Sequence, residues 1–432
     1  MSRTGADTGR NAVTTPAPST LVVVGASLAG LRATESARRE GFEGRIVLVG
    51  RESHLPYDRP PLSKGFLVDE GAEPTFFVPA QTLEDLDIDV RLGITATGLD
   101  LEAREVRLGN ERINYDKLII ATGADARPLP KSIHADTTAA PAAAVETLRT
   151  LDDARRVRDK LSPGMRLVVI GAGFIGSEIA SSATSLGVSV TVVEAASVPL
   201  VRALGPTVGG AVSRLHERHG TRLITGAQVV GITEQAGATS VELGTGERLE
   251  ADVVVVGIGA VPATDWLQNS GLKLDSLDGG VLCDELLRTS DPHVFAAGDV
   301  VRWPNAALDE SMRLENWTNA ADQGARAALN ALFPDRAQAF GTVPYFWSDW
   351  YEQRIQFVGT TACDEVIFAD GGPDDERFIA FYIRGERLVG AATVNQPRKI
   401  MKLRRLISER HGLTEALALV GGARAEVRST AP

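Results

Sequence analysis

The sequence predicts an α/β protein with two Rossmann-like folds, each built on a parallel sheet. Two observations indicate them. Short strands rich in valine and isoleucine end in glycine, and two of these strands run into a stretch of helical spacing before the next strand. One such unit opens at residue 20 and the other near residue 166. Repetition of a strand, a glycine turn, a helix and a strand is typical of doubly wound α/β proteins.

The first unit begins with an apolar strand at 21–24, which ends in Gly25 and is followed by a helical stretch and the strand RIVLVG. Gly25, Ser27 and Gly30 occupy the positions of the G-x-G-x-x-G fingerprint, in which a helix N-terminus receives a pyrophosphate. Ser27 replaces the middle glycine, and its small side chain still allows a phosphate to approach. Taken alone, this pattern is equally typical of a tight turn in any α/β protein.

The second unit carries the complete fingerprint, with Gly171, Gly173 and Gly176 between a strand and a helix. Its next strand ends at Glu194, where a carboxylate can accept both ribose hydroxyls of an adenosine and would repel a 2′-phosphate. Two alanines follow at 195–196, and no arginine stands where it would bind that phosphate. The sequence therefore predicts binding of NADH in preference to NADPH.

Three further apolar strands stop at glycine, which predicts a close approach of the backbone to a ligand. They run into Thr122 and Gly123, into 257–259, and into Gly298. Asp299 follows the last of them, at a position suited to a hydroxyl group of a nucleotide, although aspartate also caps helices and turns. These strand ends extend the predicted nucleotide sites beyond the two fingerprints.

The composition is that of a globular protein with an excess of acidic residues, since the 432 residues carry a formal net charge of −11. That charge argues against general nucleic-acid binding, and no apolar run is long enough to span a membrane. The segment 1–19 lacks the apolar core of a signal peptide and is predicted to form a disordered tail. We therefore expect a cytoplasmic protein.

The chain has two cysteines, Cys283 and Cys363, which lie far apart and form no C-x-x-C pair. This spacing argues against a redox-active dithiol and against a disulfide framework. The six histidines give no metal-binding pattern. His216 and His219 share a helix face without a third ligand, and we expect a solvated helix end there.

Several motifs together resemble one family. They are the serine-containing first fingerprint, RPPLSK, ATG, GAGFIGSE, GIGAVPATDW, VFAAGDV, ENWTNAADQG and VPYFWSDWYEQRIQFVG, spread from about Leu21 to about His411. The chain resembles the FAD-containing, NADH-dependent ferredoxin reductases of the putidaredoxin and rhodocoxin reductase type, which serve Rieske-type oxygenases and cytochrome P-450 monooxygenases. RPPLSK and PYFWSD are the discriminating motifs, because GDV and ATG belong to the wider glutathione-reductase-like superfamily.

The resemblance implies an FAD-binding domain interrupted by an NAD-binding domain and followed by a C-terminal α+β domain. The motif VFAAGDV comes after both fingerprints, as an inserted domain requires. The expected divisions after the tail are FAD-binding segments at 20–126 and 263–338, the NAD-binding domain at 127–262 and the C-terminal domain at 339–432.

The loop LPYDRPPLSKGFL holds three prolines, which leave the backbone few conformations and suit a loop that places a side chain. By resemblance, its Lys64 is a catalytic residue that lies beside the flavin and pairs with Glu178, in the first turns of the helix after the second fingerprint. A positive charge there favours the electron-rich reduced flavin and helps it to receive hydride. On the loop alone, a surface lysine would be the simpler interpretation.

The resemblance implies two sets of cofactor contacts and no metal ligand. The residues expected at FAD are Gly25, Ser27, Ala29, Gly30, Arg51, Glu52, Lys64, Ala96, Ala121, Thr122, Gly123, Arg127, Gly298, Asp299, Glu315, Asn316 and Trp317. The residues expected at NADH are Gly171, Gly173, Phe174, Ile175, Gly176, Glu178, Glu194, Gly257, Ile258 and Gly259. A helix predicted from about Thr318 would present its N-terminus to the flavin, where the backbone N–H near Trp317 could stabilise negative charge.

Four residues leave side-chain contacts open. The family often carries an acidic residue after the second strand to bind the FAD ribose, but Arg51 stands there and Glu52 follows. Either Glu52 takes the ribose, or Arg51 uses its backbone and turns its side chain outward. Phe174 could gate the nicotinamide pocket or be a core aromatic. Trp347 matches a residue near the flavin in relatives, although most tryptophans at such spacing are core residues.

A basic helix is predicted near the C-terminal end, in the stretch RKIMKLRRLISERHG. Ferredoxins are commonly acidic, so this helix could steer the docking of such a partner, although a solvated helical face is an equal alternative. Its cations are Arg398, Lys399, Lys402, Arg404, Arg405 and Arg410.

The resemblance implies an NADH:ferredoxin oxidoreductase in which FAD receives two electrons as hydride and releases them singly to an iron–sulfur partner. An enzyme with an active thiol is largely excluded, because no cysteine precedes Cys283. Reductases of other acceptors, such as monodehydroascorbate- or nitrite-reductase-like enzymes, are alternatives. Another is an FAD- and NADH-binding signalling module of the apoptosis-inducing-factor type.

Overall fold

The structure is a computed structural model that describes residues 18–133, 145–235 and 238–421. The predicted N-terminal tail lies outside these ranges apart from its last two residues. The α-helices, α1 to α9 in chain order, are Leu28–Arg39, Gly65–Val68, Ala80–Asp85, Leu151–Lys160, Phe174–Ser185, Val201–Arg218, Trp317–Leu332, Pro397–Ser408 and Leu413–Val420. The strands, β1 to β26 in chain order, are Thr20–Val24, Arg45–Val49, Ile88–Arg91, Gly98–Asp100, Glu105–Leu108, Glu111–Asn114, Lys117–Ile120, Ala124–Ala126, Val145–Thr147, Arg166–Ile170, Ser189–Val193, Arg222–Ile224, Val229–Gln235, Ala238–Leu243, Arg248–Ala251, Val253–Val256, Ala260–Pro262, Val281–Leu282, Val294–Ala296, Val301–Asn305, Glu310–Arg313, Tyr345–Trp350, Gln353–Gly359, Glu365–Asp370, Phe378–Arg384 and Arg387–Val394.

The first sheet has the strand order β19-β7-β1-β2-β3, and its strands are parallel. Its central strand β1 is buried along its apolar run, as a parallel strand covered on both faces must be. Strand β19 comes from far along the chain and pairs with β7. The winding direction reverses between β1 and β7, so a crevice opens at their carboxyl ends, where such sheets bind ligands.

The second sheet has the order β12-β11-β10-β16-β9 and is also parallel. Strand β10 leads through the second glycine turn into α5, as β1 leads through the first glycine turn into α1. Its crevice lies between β10 and β16 for the same reason as in the first sheet. The antiparallel pair of β8 with β17 joins the chain segments that pass between the two units. Both Rossmann-like units predicted from the sequence are therefore present.

Helix α7 returns to the first unit and packs along α1 through small residues. The two backbones approach so closely that a Cβ on Gly324 would lie 2.1 Å from the carbonyl oxygen of Ala29. A Cβ on Gly298 would likewise lie 3.7 Å from the Cβ of Ala320, in the first turns of α7. The helix begins at Trp317, and this packing brings its N-terminus to the strand ends of the first sheet.

The C-terminal part is an antiparallel sheet of order β22-β23-β26-β25-β24 with two helices. One face, which includes Trp350 and Phe357, packs against α6 of the second unit. The other face is covered by α8 and α9 through residues such as Ile400 and Leu403. Strand β22 also contacts α5 and α7, so this sheet touches both Rossmann-like units.

Smaller sheets complete the fold, with orders β4-β5-β6, β13-β14-β15 and β18-β20-β21. Over the residues that the structure describes, no helix combines the length and the apolar character needed to cross a membrane. The same residues include no cluster of histidine, cysteine, aspartate and glutamate that could hold a metal ion.

Candidate active site

Both glycine turns open into the same cleft, which has a volume of about 900 Å³. A space of this size is at the upper end for small-molecule sites and suits two neighbouring ligands. The predicted residues that line it are Gly25, Ser27, Ala29, Arg51, Glu52, Lys64, Ala96, Ala121, Thr122, Gly173, Phe174, Ile175, Glu178, Gly257, Gly259, Gly298, Asp299, Glu315, Asn316 and Trp317. The predicted residues outside its lining are Gly30, Gly123, Arg127, Gly171, Gly176, Glu194 and Ile258.

The first residue of each glycine turn permits a contact that no other residue would allow. Gly25 has φ 118° and Gly171 has φ 103°, both in the region that favours glycine. A Cβ on Gly25 would lie 2.0 Å from the carbonyl oxygen of Ala121, and one on Gly171 would lie 2.4 Å from that of Gly257. Each fingerprint therefore packs against a second glycine-ended strand. The residues present fit two dinucleotides, with a pyrophosphate at the N-terminus of α1 and another at that of α5.

Lys64 and Glu178 form an ion pair in this cleft. Lys64 Nζ lies 2.7 Å from Glu178 Oε2 and donates to the carbonyl oxygen of Pro60 at 3.0 Å. An ammonium group has three donors, so one remains for a ligand. Glu178 is 3% exposed and also accepts hydrogen bonds from the hydroxyls of Ser63 and Ser348. The pairing that the resemblance implies is present, and the buried carboxylate has the donors that it needs.

The proline-rich loop that carries Lys64 is tied to the second unit. Its prolines shape a 3₁₀ turn at Pro60–Ser63 that ends at Lys64. The hydroxyl oxygen of Tyr57 accepts the N–H of Leu151 at 2.8 Å, and the hydroxyl of Ser182 donates to the carbonyl oxygen of Ser63 at 2.8 Å. These bonds fix the position of the lysine between the two glycine turns.

Arg51 and Glu52, the alternatives for the FAD ribose, are both engaged with other side chains. Arg51 makes a bidentate ion pair with Asp125, with its longer contact at 3.1 Å, so its side chain turns away toward that residue. Glu52 forms an ion pair with Arg59, which also donates to Ser27 Oγ at 2.8 Å. Arg59 lies within the RPPLSK motif but was not predicted as a site residue. Contact of Glu52 with the ribose stays a prediction.

Arg149 is a second cation in the cleft that sequence reasoning missed. Its guanidinium lies 2.9 Å from Asp299 Oδ2, and its Nε donates to the carbonyl oxygen of Ala124 at 2.7 Å. Arg127, which was expected at FAD, is exposed and donates to the carbonyl oxygen of Ala260 at 3.3 Å. Contact of Arg127 with FAD stays a prediction. No motif joins Arg149 to Asp299, so only the folded chain reveals the pair.

Glu194 follows β11 beside the second glycine turn. Its two carboxylate oxygens accept the N–H groups of Ala172 at 2.8 Å and Ala196 at 2.9 Å. Each oxygen keeps a free lone pair, so the carboxylate can still accept ribose hydroxyls. The geometry fits the predicted role of Glu194 in choosing between NADH and NADPH.

Aromatic side chains border the cleft where the C-terminal sheet meets it. The indole N–H of Trp317 donates to Asp58 Oδ1 at 2.8 Å, and its ring centroid lies 6.5 Å from that of Trp347. Phe174 packs against Phe346 with centroids 4.8 Å apart and also lines the cleft. Phe174 is therefore a packed aromatic that also lines the cleft, and its role as a gate of the nicotinamide pocket stays a prediction.

The predicted basic helix is α8, and two of its cations are partly buried and donate to carbonyl oxygens of the chain. Arg404 donates to the carbonyl oxygen of Val343 at 2.8 Å, and Lys399 donates to that of Val420 at 3.0 Å. Docking of a partner at this helix stays a prediction. The exposed cations of this helix are Arg398, Lys402 and Arg405.

His216 contradicts the expectation of a solvated helix end. Its side chain is fully buried, stacks on Trp350 with centroids 5.4 Å apart, and forms hydrogen bonds with Ser177 at 3.1 Å and Tyr351 at 2.9 Å. Burial lowers the pKa of His216 to about 4, so the ring is neutral at physiological pH. Helical spacing could not reveal this, because the covering residues come from the C-terminal sheet.

The glycine turns of two parallel sheets face one cleft, and an ion-paired lysine lies between them. This arrangement defines an oxidoreductase that binds two dinucleotides. Residues 19–324 match the family described as pyridine nucleotide-disulphide oxidoreductase, and residues 345–421 match the family described as reductase C-terminal. The chain belongs to the pyridine nucleotide-disulphide oxidoreductase family.

Similar proteins of known name cover nearly the whole chain. Rhodocoxin reductase from Rhodococcus erythropolis is 38% identical over 91% of this chain and 90% of its own length. The ferredoxin–NAD(+) reductase component of the anthranilate 1,2-dioxygenase system of Burkholderia cepacia is 38% identical over 90% and 93%. The structure of a covalent putidaredoxin reductase–putidaredoxin complex matches with a TM-score of 0.86 and 31% identity, covering 95% of this chain and 100% of that chain. The predicted family and fold class are confirmed.

Proposed function

We propose that this protein is an NADH:ferredoxin oxidoreductase that uses FAD and supplies an oxygenase of the cytochrome P-450 or Rieske type. The observation that carries this function is the shared cleft, in which both glycine turns meet and Lys64 pairs with Glu178 between them. The relatives named as ferredoxin–NAD(+) and putidaredoxin reductases support the choice of donor and acceptor.

The residues of the first unit would hold FAD, and those of the second would hold NADH. When bound, FAD accepts two electrons as hydride and yields them one at a time, which an iron–sulfur acceptor requires. Arg59 and Arg149 bring positive charge to the side of the cleft that carries Ser27 and Asp299. Glu194 offers its carboxylate to the adenosine ribose of NADH.

Lys64 supplies the positive charge near the reacting atoms. Its remaining N–H donor would be available to negative charge that develops in the cleft, while Glu178 holds the ammonium group in place. The N-terminus of α7 adds backbone donors to the same cleft through Asn316 and Trp317. We propose Lys64 and Glu178 as the residues that favour hydride transfer.

Thiol chemistry has no place in this cleft. Cys283 and Cys363 are both free and lie outside its lining. Burial raises the pKa of the Cys283 thiol, which keeps it protonated and unreactive. The electrons therefore leave without a disulfide step, which distinguishes this chain from the disulfide reductases that give the family its name.

For the partner, we propose docking of an acidic ferredoxin near the exposed cations of α8, Arg398, Lys402 and Arg405. Arg404 ties this helix to Val343, and the next residue, Pro344, lines the cleft. The helix therefore lies close to the cleft rim, and its positive charge contrasts with the net charge of −11 of the whole chain. Such a patch steers an acidic partner toward the flavin.

Stopped-flow reduction of the purified flavoprotein, with NADH and then NADPH, tests the first half of the proposal. Fast bleaching of the flavin by NADH, slower bleaching by NADPH, and turnover with members of a panel of purified ferredoxins are expected. A long-lived charge-transfer complex with negligible turnover would favour a signalling module instead. Rapid reduction without ferredoxin turnover, but with turnover of monodehydroascorbate or nitrite, would move the proposal to another acceptor.

We also propose the domain division expected from the sequence and a cytoplasmic location. The sheets support the division, because β19 at Val294–Ala296 joins the first sheet, while β9, β10, β11, β12 and β16 build the second. Limited proteolysis with mass mapping would test the boundaries at 126, 262 and 338, and cell fractionation would test the location.

A further inference from the structure

Strand β22 places a serine between two aromatic residues on a buried face. In the run YFWSDW, alternate residues share a face, so Phe346, Ser348 and Trp350 point the same way. Phe346 packs against Phe174 of α5, and Trp350 stacks on His216 of α6. Ser348 between them is 0% exposed, and a buried hydroxyl is costly without a partner.

The partner of Ser348 is the carboxylate of Glu178. Ser348 Oγ donates to Glu178 Oε1, and it accepts the indole N–H of Trp350 at 2.7 Å. A hydroxyl has a single hydrogen, and since Trp350 occupies one of its lone pairs, that hydrogen is aimed at Glu178. The other carboxylate oxygen, Oε2, receives Ser63 and Lys64. The carboxylate is therefore held from the C-terminal sheet on one oxygen and from the loop of Lys64 on the other.

We propose that Ser348 is a positioning residue for the NADH half-reaction, whose hydroxyl, aimed by Trp350, holds the Glu178 carboxylate against Lys64. This inference rests on the proposed function. Without Ser348, a carboxylate that is 3% exposed loses the donor on Oε1. More of its negative charge must then be compensated by Lys64. Lys64 then offers less positive charge to the cleft, so the reduced flavin is less stabilised.

The test compares Ser348→Ala with wild-type holoenzyme. We expect the limiting rate of flavin reduction by NADH to fall about tenfold, as for loss of one hydrogen bond to a charged group. The dissociation constant of NADH should stay within about twofold, and the flavin midpoint potential should become more negative, because only the charge near the flavin changes. An unchanged rate and an unchanged potential would overturn the proposal.

The matched control is Ser185→Ala, on the same helix as Glu178. The hydroxyl of Ser185 donates only to the carbonyl oxygen of Ser182 at 2.7 Å, so this substitution makes the same chemical change away from the ion pair. Rate and potential should equal those of the wild type. A fall in both variants would mean that loss of a helix or strand hydroxyl perturbs the fold, and would overturn the specific role of Ser348.

A double-mutant cycle separates positioning from structural support. In a Glu178→Gln background, Ser348→Ala should change the reduction rate by less than about twofold, because the carboxylate that Ser348 holds is already gone. An equal loss in both backgrounds would overturn the proposal. If Ser348→Ala fails to retain FAD, Trp350→Phe removes the N–H that aims the hydroxyl, together with part of the ring that stacks on His216, so its free energy of unfolding is measured beside its rate. Its reduction rate should fall about two- to threefold, and an unchanged rate would count against the proposal.

Failure of this inference is distinct from failure of the proposed function. If NADH does not reduce the wild-type flavin, both proposals fall. If it does, and Ser348→Ala behaves as wild type in rate and potential, only the positioning role is lost.

Discussion

The two glycine turns share a backbone geometry, but their surroundings differ. Gly25 and Gly171 have similar positive φ angles, and a Cβ on either would clash with a carbonyl oxygen just after the neighbouring strand. The first turn is surrounded by ion pairs, including those of Arg59 with Glu52 and of Arg149 with Asp299. Beside the second turn, the carboxylate of Glu194 accepts backbone N–H groups. Helix α5 there forms a hydrogen bond, through Ser177, with the neutral ring of His216.

This difference suits two different ligands. A site held by several ion pairs keeps its shape and suits a cofactor that stays bound. At the second site, Ile175 is 43% exposed, and the groups offered to a ligand are backbone groups and the carboxylate of Glu194. This arrangement suits a cofactor that enters and leaves at each turnover. We therefore expect the fingerprint to define where a dinucleotide binds and the side chains around it to determine how long the dinucleotide stays bound.

The sharpest test of this comparison is the same substitution in both turns. Gly25→Ala places a Cβ 2.0 Å from the oxygen of Ala121, and Gly171→Ala places one 2.4 Å from that of Gly257. We expect Gly25→Ala to lose FAD almost completely, and Gly171→Ala to retain FAD but bind NADH at least about 100-fold more weakly. Flavin content by absorbance and NADH titration measure the two outcomes.

Gly41→Ala is the control for those two variants. Gly41 also has a positive φ, 92°, but a Cβ there would meet nothing within 4 Å. It should cost only the backbone strain of about 1 kcal/mol in free energy of unfolding and leave both cofactors bound. Loss of FAD in Gly41→Ala would show that conformational strain, and not the close contact at Gly25, accounts for the first result.

The buried neutral ring of His216 should make the stability of the second unit sensitive to acid. The unfolded state binds a proton on His216 near the ordinary pKa of 6.5, whereas burial lowers the pKa of the folded-state ring to about 4. Between these values the unfolded state holds more protons, so the stability that depends on the neutral ring falls as pH falls. The expected loss is about 3 kcal/mol from pH 6.5 to pH 4. Denaturant unfolding at a series of pH values measures it.

His216→Asn serves as the comparison variant for that loss. Its side chain keeps a neutral hydrogen-bonding group but does not titrate, so the stability curve should flatten between pH 6.5 and pH 4 relative to the wild type. A curve as steep as that of the wild type would mean that other groups cause the acid sensitivity.

Much of this organisation could be predicted from the sequence, because it depends on local patterns. Strand, glycine turn and helix follow one another in the chain, and the prolines of a stiff loop indicate that Lys64 is placed for a function. The pairs that surround the first turn could not be predicted, because Arg149 reaches Asp299 only through the fold. The burial of His216 was missed for the same reason, since helical spacing shows which residues share a face but not what covers that face.

Lys64 joins the two sites, so its removal should affect transfer between them more than binding at either. In Lys64→Met, the rate of flavin reduction by NADH should fall about 100-fold, as for loss of a charge that stabilises a developing negative centre. FAD content and NADH affinity should change little. Lys64→Arg keeps the charge and should recover part of the rate in stopped-flow measurements. Equal rates for the Met and Arg variants would show that charge is not what Lys64 contributes.

A substitution at Glu194 tests the NADH site alone. Glu194→Gln keeps an oxygen that can accept an N–H group but removes the negative charge, so repulsion of a 2′-phosphate disappears. The preference for NADH over NADPH, as a ratio of kcat/KM, should fall about tenfold, with FAD binding unchanged. An unchanged preference would mean that another residue selects the cofactor.

The smallest effect should come from the exposed surface of α8, which contacts neither glycine turn. Charge reversal at Arg398 and Lys402 of α8 should lower kcat/KM for ferredoxin about three- to fivefold at low salt, because exposed charges act mainly on the association rate. Reduction of a small dye by NADH should be unaffected, and so should its response to salt. Lys273→Glu, at an exposed lysine outside this helix, is the matched control. If dye and ferredoxin reduction respond alike to salt or to charge reversal, α8 is a solvated helix face and the ferredoxin docks elsewhere.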